Sequence, residues 1–501
     1  MKRTVMKRTV TLCLLMILSA FAASQQVQSK YVGGESGEPV ALFLVETGAL
    51  VEGAVMPQYG LILPFQAQGN GDTFRGELLN SEPVTTVEGR FEGNELVLTI
   101  VQGGERQEFN LVRQEGEAAT FEGSAPLLRM LSLVPDGLLS RVGTPGVAYV
   151  DFRAIERAGG VENPGSATDY ALMSETDRSN WLTALRRVST GPRDLVVQFA
   201  AQVEGMPEIL GFEWFDMDRG LSYAPPPGTT TIIAVEPDAE ALVTRLGGRG
   251  FEESVRGGIS VWHKGEDGAI SIADRDPGDP FGGNMGKSQR IALLPGHLVN
   301  SAFWATTEAV VQATTGEAPS LAQAPDYRTL AEAAADPSTG ELVQAMFLQP
   351  AEVGLMPGDP ARFIGMEPEE VQDRLRAEAE EAKARAPLPF YGLALLADKQ
   401  AGDDWVGVAA LLYEDFETAE VAAAELTRRL ATFVTAQFPE ASFGADEPQV
   451  HESESGHFAA VAAIRFPGSE ARGEAPQGGF GDWVRALMLR EFDVLEISAA
   501  P

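Results

Sequence analysis

The sequence predicts an α+β protein: a small N-terminal antiparallel β domain, then two related modules of antiparallel sheet with helices on one face. Two observations lead to this prediction. Short β-prone runs separated by Gly, Asn and Asp fill residues 39–124, and such regular turn signals are typical of a small barrel or sandwich. Further along, one order of strand, helix and hairpin occurs twice, which indicates an internal repeat.

The N-terminal segment, residues 1–22, has the composition of a signal peptide. Basic residues precede an apolar stretch from Val10 to Leu18, and Ala20-Phe21-Ala22 supplies the small residues that signal peptidase accepts. The stretch is shorter than the ~20 residues that a membrane crossing requires. We therefore expect cleavage near Ala22 and an extracytoplasmic protein, periplasmic or secreted. The first five residues are repeated in tandem, so the sequence leaves open whether Met1 or Met6 is the start.

Charge and cysteine content narrow the range of partners. The formal net charge is −34, and such a surface repels nucleic acid and anionic lipid. Cys13 is the only cysteine and lies inside the apolar part of the signal, so we expect neither lipid anchoring nor a disulfide in the mature chain. No later run approaches 18 consecutive apolar residues, which predicts no transmembrane segment after the signal peptide.

The β domain follows a short polar, glycine-rich stretch, residues 23–38, which we assign to a linker. Within 39–124 an aromatic-x-Gly step recurs at Phe74, Phe91 and Phe121. Residues two apart in a strand share a face, so each ring can lie over the bare backbone of a glycine. This pattern predicts a packing device rather than a ligand platform.

The repeat places the first α+β module at 125–350 and the second at 389–501. In each module a strand leads to an aspartate, Asp238 or Asp415, and then to a helix with apolar residues at helical spacing. A hairpin with a charged, glycine-containing turn follows each helix. The highly charged segment between the modules, residues 351–388, predicts an exposed helical connector.

Part of the first module resembles known proteins. The segment Gly211–Leu221 (GFEWFDMDRGL), the prolines Pro225–Pro227, and Ser320-Leu321 followed by Asp326-Tyr327 carry this likeness. On these residues, and over roughly 127–350, the chain resembles a loose group of exported or lipid-anchored bacterial proteins of unknown function. It departs from the lipid-anchored members because it has no cysteine directly after the signal. The resemblance implies no activity.

One acidic loop has side chains that suit a calcium ion. Asp274, Asp276 and Asp279 place carboxylate oxygens at nearly alternate positions, as a hard cation requires. However, Met285 stands at the twelfth position, where an EF-hand loop has a bidentate glutamate. A surface loop rich in Asp, Pro and Gly is therefore the favoured interpretation.

A histidine pair offers a second candidate metal site. His451 and His457 lie symmetrically about Glu454, so a hairpin turn there would place them opposite each other across two strands. Such a pair could bind Zn²⁺ or Ni²⁺. The first repeat has His263 at the matching place without a second histidine, which favours a polar hairpin tip. We expect neither a metal ion nor any other cofactor.

Acidic residues are too numerous for the sequence to single out a catalytic pair. Asp216 and Asp218 are the most distinctive, and we interpret them as caps of a one-turn helix. The sequence has no Gly-x-Ser-x-Gly, Ser-x-x-Lys or His-Glu-x-x-His motif, the patterns of common hydrolases.

The sequence favours a non-catalytic binding or scaffolding protein of the cell envelope, with an envelope protein or a small ligand as its partner. The alternative is an exported hydrolase with a carboxylate or histidine site in the cleft between the two modules. A cleft with converging acids and a carboxylate of perturbed pKa would favour the hydrolase. A shallow surface with an exposed apolar patch would favour binding.

Overall fold

The computed structural model describes residues 26–496 apart from several gaps. These gaps are 35–39, 59–60, 80, 82–83, 120–124, 142–145, 193–194, 197–202, 204, 225–227, 277, 280, 351–387, 439–441, 468–478 and 490–491. The predicted signal peptide and the predicted connector, except for Leu388, therefore lie outside the described residues.

Residues 26–113 form a closed barrel in which each strand pairs antiparallel with the next. The strands are β1 (Gln26–Gly33), β2 (Val40–Thr47), β3 (Leu50–Gln58), β4 (Leu61–Gly69), β5 (Thr73–Leu78), β6 (Thr85–Glu92), β7 (Glu95–Gln102) and β8 (Glu105–Arg113). The barrel closes where Tyr31–Gly33 of β1 pairs with β8. Of the two predicted architectures, barrel and sandwich, the barrel is the one observed.

Strand β1 corrects the linker that we predicted at 23–38. It pairs along its whole length with β2, and Tyr31 contributes to the barrel core. The sequence QVQSKYVG conceals this strand because polar residues and glycine interrupt its apolar alternation. Its second partner, β8, lies at the far end of the domain, so no local pattern predicts the pairing.

The barrel interior confirms the packing role predicted for Phe74. Its ring stacks on that of Phe65, with the ring centroids 5.7 Å apart, and lies against Gly89, its register partner on β6. A Cβ atom at Gly89 would lie 2.0 Å from the ring. The bare backbone beneath the ring thus belongs to the neighbouring strand, and not to Gly76 two residues further along.

After the barrel, the described chain forms one sheet of 13 strands with antiparallel pairings. The strands are β9 (Val147–Asp151), β10 (Arg219–Tyr223), β11 (Thr230–Ala234), β12 (Glu252–Arg256), β13 (Ile259–Lys264), β14 (Gln289–Leu294), β15 (His297–Ser301), β16 (Glu341–Leu348), β17 (Ala394–Ala401), β18 (Asp404–Tyr413), β19 (Gly444–Ala445), β20 (Gln449–Glu452) and β21 (Phe458–Phe466). Their order is β12-β13-β14-β15-β11-β10-β9-β16-β17-β18-β21, and both β19 and β20 pair with β21.

Helices cover both faces of this sheet, where we predicted one face. They are α1 (Pro126–Leu131), α2 (Leu138–Arg141), α3 (Phe152–Ala158), α4 (Ala167–Leu172), α5 (Glu175–Leu185), α6 (Met206–Leu210), α7 (Ala239–Gly248), α8 (Trp304–Thr315), α9 (Pro325–Ala335), α10 (Phe416–Gln437) and α11 (Gly479–Met488). Strand β18 shows the arrangement, since Ala409 packs in the core beneath α10 while Val408 packs in the core beneath α9. A strand buried on both sides has the continuous apolar sequence seen here.

The two predicted modules share this single sheet, because β16 of the first pairs with β17 of the second. The α+β class and the repeated strand–helix step are confirmed. Asp238 accepts hydrogen bonds from the amides of Glu240 and Ala241, and Asp415 accepts one from Thr418, so each aspartate caps its helix. Helices α7 and α10 also contribute to the same core.

The later parts of the repeat differ. Strands β20 and β21 form the predicted hairpin of the second module. We predicted the first hairpin over Gly258–Ala273, with its turn in the charged stretch KGEDG. In the structure the hairpin β12–β13 turns earlier, at Gly257 and Gly258, because both residues adopt the positive φ that a two-residue hairpin turn requires. The repeat predicts strands after the second hairpin, like the pair β14–β15 of the first module, but residues 479–488 form helix α11 at that place.

The barrel lies against the α+β part through its outer surface. Val45 of β2 packs with Ala302 and Phe303, and Phe43 lies near Leu138 of α2. A buried network of ion pairs crosses the same junction, from Lys30 of β1 through Asp136 and Arg141 to Asp326 of α9.

Candidate functional site

A row of four residues marks one end of the central strands. Asp151 ends β9, Arg219 begins β10, Ala234 ends β11 and His297 begins β15, and each is the register partner of the next. Register partners in an antiparallel sheet project to the same face. The residues two positions further into these strands, namely Tyr149, Leu221, Ile232 and Val299, belong to the core that also contains α1.

Two adjacent cavities open along this row. The first has a volume of about 660 Å³, the second of about 650 Å³, and both are lined by Pro126 and Arg219. The charged residues of the first cavity are Arg129, Arg153, Asp216, Asp218, Arg219 and Glu236, and His297 also lines it. The second cavity is lined by residues of both predicted modules, including Tyr149 and Asp151 on one side and Gln400–Gly402 on the other. We call the two cavities together the strand-end cleft.

The ion pair between Arg219 and Asp151 lies where the two cavities meet. Arg219 Nε donates to Asp151 Oδ2 at 2.9 Å, while Asp151 Oδ1 accepts from the backbone amide of Ala154 at 2.8 Å and so caps α3. Burial raises the pKa of Asp151, against the opposing effect of Arg219. Burial also raises the pKa of Tyr149 well above its usual value, although a hydrogen bond with Arg219 opposes this shift.

The other acids of the cleft also have partners within the protein. Asp218 Oδ1 accepts from Arg153 Nε at 2.9 Å, and the same guanidinium bonds the carbonyl of Phe215. Asp216 Oδ2 accepts from the amide of Glu213 at 2.8 Å, which confirms the predicted cap of a one-turn helix. Asp218 is an ion-pair partner instead of a cap.

His297 is buried at the edge of the first cavity. Its Nδ1 lies 2.9 Å from the carbonyl oxygen of Pro295, and because a carbonyl only accepts, Nδ1 carries the proton. Burial lowers the pKa of His297, and the positive charges of Arg129 and Arg219 lower it further. These effects favour the neutral imidazole.

The acidic loop holds an arginine between two of its carboxylates. Arg249 bonds Asp279 Oδ2 and, at 3.1 Å, Asp276 Oδ2. Buried Asp279 also accepts from Gln289 Nε2 at 2.7 Å. Asp274 lies in a separate helical turn, Ile272–Asp274. The guanidinium thus occupies the place between the two carboxylates that a cation would take.

The two histidines of the second candidate site are offset along the hairpin. His451 is the register partner of Ala459, and the amide of Ser453 donates to the carbonyl of His457. His451 Nε2 lies 3.8 Å from a carboxylate oxygen of Glu332, whereas His457 Nδ1 lies 3.0 Å from Ser455 Oγ. Within the described part of the chain, no three His, Cys, Asp or Glu side chains converge as a metal site would require.

Sequence reasoning did not identify the strand-end cleft. The sequence singled out Arg219, as part of the GFEWFDMDRGL segment, and His297, as one of four histidines, but no pattern pointed to Arg129 or Arg153. The meeting of these residues depends on the register of strands that are far apart in the chain. An apolar strand that ends in a charged residue, as VAYVD does, is the one local sign.

Neither a family model nor a curated protein matches the sequence. Among solved structures, crystal form I of the Treponema protein TP0453 is similar over 70% of this chain and 94% of that one, at 8% identity and a TM-score of 0.27. A likeness at this level carries no argument about function. None of the helices in the described ranges has the length and apolar composition needed to cross a membrane.

Proposed function

We propose that this chain is an exported, non-catalytic binding protein of the cell envelope and that the strand-end cleft binds a small ligand. The observation that carries the proposal is the pair of adjoining cavities, each of about 650 Å³, at one end of the sheet. Ligand sites in proteins are typically concave and of about 300–1,000 Å³, with a few fixed polar groups. Here the fixed polar groups are the ion pairs of Arg219 and Arg153.

The hydrogen bonds of the acidic residues in the cleft support binding over the alternative, hydrolysis. Asp151 has a raised pKa and lies in a cleft between modules, as we expected of a hydrolase. However, both of its oxygens are engaged, one by Arg219 and one by the amide of Ala154. Asp216 and Asp218 also have partners. A general acid or base must reach the proton that it transfers, whereas these contacts hold the carboxylates as structural groups.

Ligand exchange between the protein and an extract of small molecules tests the proposal. We expect equilibrium dialysis of the chain from Ala23 onward, read by mass spectrometry, to retain at least one compound. Ser338→Trp should abolish retention, because Ser338 is exposed and lines the second cavity. Ser179→Trp, on the exposed surface of α5, is the matched control. Retention that is equal in both variants would refute the second cavity as the site, and conversion of the retained compound would favour the hydrolase.

Export rests on the basic and apolar N-terminal residues. We expect the protein to accumulate outside the cytoplasm and to begin near Ala23, because Ala20-Phe21-Ala22 fits signal peptidase. N-terminal sequencing of the extracytoplasmic protein measures this. An intact Met1 or Met6 would contradict cleavage.

A further inference from the structure

The second cavity of the strand-end cleft combines apolar side chains with charged groups that pair with one another. We propose that this cavity binds an uncharged small molecule with a mainly apolar body. The inference rests on the proposed function, since it concerns the same cleft, and it adds the chemical class of the ligand.

Apolar side chains from three elements line this cavity of about 650 Å³. They are Pro126 and Leu127 of α1, Leu342 of β16 and Ala401 of β17. Leu127 is fully buried, whereas Leu342 and Ala401 pack against the same core but are only partly buried. Part of their apolar surface therefore faces the cavity, and a ligand that covers this surface gains the free energy of apolar burial.

The charged side chains of the cavity form two ion pairs. Arg219 Nε donates to Asp151 Oδ2 at 2.9 Å, and the other oxygen of Asp151 caps α3. Arg157 donates to both oxygens of Glu341, at 3.2 and 2.5 Å. Among the described residues that line this cavity, the two positive and two negative charges therefore cancel. A charged ligand would lose its hydration there without gaining a free counter-charge.

The ionisation of the inner side chains gives further support. Burial raises the pKa of Asp151 and raises that of Tyr149 well above its usual value, although Arg219 opposes both shifts. Such shifts mean that this end of the sheet disfavours additional negative charge. A ligand carboxylate or phosphate would meet the same cost, because both side chains line the cavity.

The test compares three probes that share one ring system and differ in charge, namely naphthylmethanol, naphthoate and naphthylmethylammonium. Each is titrated into the chain from Ala23 onward at about pH 7, where the acid and the amine are ionised, and calorimetry measures the affinity. We expect naphthylmethanol to bind roughly tenfold or more tightly than either ion. No binding of naphthylmethanol up to about 1 mM, or equally tight binding of either ion, would overturn the proposal.

Two variants locate the binding. Glu341→Gln leaves Arg157 without its carboxylate and should reduce the preference for naphthylmethanol over naphthoate roughly threefold, a modest change because solvent screens the half-exposed pair. Glu208→Gln is the matched control, since Glu208 forms a similarly exposed pair with Arg245, at 2.7 Å, outside the cleft. It should leave the preference unchanged. Equal preferences in the two variants would refute the second cavity as the binding site of the probes.

The inference and the proposed function can fail separately. If Ser338→Trp excludes a ligand found by dialysis but naphthoate binds as tightly as naphthylmethanol, the ligand class is wrong while the proposed function stands. If dialysis gives equal retention in Ser338→Trp and Ser179→Trp, the second cavity fails as the ligand site, whichever probe binds.

Discussion

Lys399 of β17 has its whole side chain inside the protein. Its ammonium donates to the carbonyls of Ala334 and Asp336 at 2.7 and 2.6 Å, and to Thr339 Oγ1 at 2.6 Å. It thus caps the C-terminal end of α9 and holds the segment 335–340, which lines the second cavity. The Lys399 ammonium thus joins strand β17 to a segment that lines the strand-end cleft.

The titration of Lys399 gives a testable pH dependence. Burial lowers its pKa to about 8, against the opposing charge of Asp336. Between that value and the usual pKa of about 10.4, the unfolded chain binds more protons than the folded chain, so stability rises with pH. We expect the free energy of unfolding of the wild type, relative to Lys399→Met, to increase by about 2–3 kcal/mol from pH 7 to pH 10.5.

Urea denaturation at the two pH values measures this difference. Lys264→Met is the matched control, because Lys264 also donates to a backbone carbonyl, that of Arg249 at 3.0 Å, but is only half-buried. A difference between wild type and Lys399→Met that does not change with pH would contradict the prediction.

At the scale of elements, Asp415 begins the longest described helix, α10, of 22 residues. The amide of Thr418 donates to its carboxylate at 2.8 Å, and this bond lowers the pKa of Asp415. We expect Asp415→Ala to cost about 1 kcal/mol of unfolding free energy at pH 7. Because the folded pKa lies below the unfolded one, this difference should shrink as the pH falls through the folded pKa.

Asp415→Asn should retain most of that stability, since asparagine is as good an N-cap. Asp403→Ala, in the exposed turn before β18, is the control for loss of one surface charge. Equal melting temperatures for Asp415→Ala and Asp403→Ala would show that the cap is not stabilising.

The elements differ in how far the sequence predicted them, for physical reasons. The helices that follow Asp238 and Asp415 and the apolar strand β18 depend on local sequence patterns, and they were predicted; the caps at the two aspartates were found in the structure. Helix α11 has Phe480, Trp483, Val484 and Leu487 at helical spacing, but the repeat pattern suggested strands there. The spacing of apolar residues within a segment therefore predicts its secondary structure better than the repeated order of elements does.

The candidate site was less predictable than the fold. The strand-end cleft requires Asp151, Arg219 and His297 to meet through the register of β9, β10, β11 and β15. Register is a property of the assembled sheet, and segments of many residues separate these strands. The sequence pointed instead to short motifs such as the acidic loop. In that loop Arg249, which is distant in sequence, forms an ion pair with Asp276 where a metal ion would bind.

At the scale of the whole molecule, buried ion pairs join the barrel to the sheet domain. Asp136 accepts from Lys30 of the barrel and, at 2.5 Å, from Arg141, which also bonds Asp326 at 2.6 Å. The ring of Phe43 lies beside this network, with Arg141 Cζ 5.3 Å from its centroid. Burial alone would raise the pKa of Asp136, but Arg141 and Lys30 together lower it.

We expect Asp136→Asn to cost about 3–5 kcal/mol, because removing one partner leaves the others buried and uncompensated. Lys30→Met should cost less, since Asp136 keeps Arg141. The six tryptophans all lie outside the barrel, so their fluorescence reports on the sheet domain while far-UV circular dichroism reports on both parts. In the wild type the two denaturation curves should coincide, and in Asp136→Asn they should separate as the barrel detaches. Asp72→Asn, in an exposed turn of the barrel, is the control. Coincident curves in Asp136→Asn, with a stability equal to that of the control, would mean that apolar contacts alone hold the two parts together.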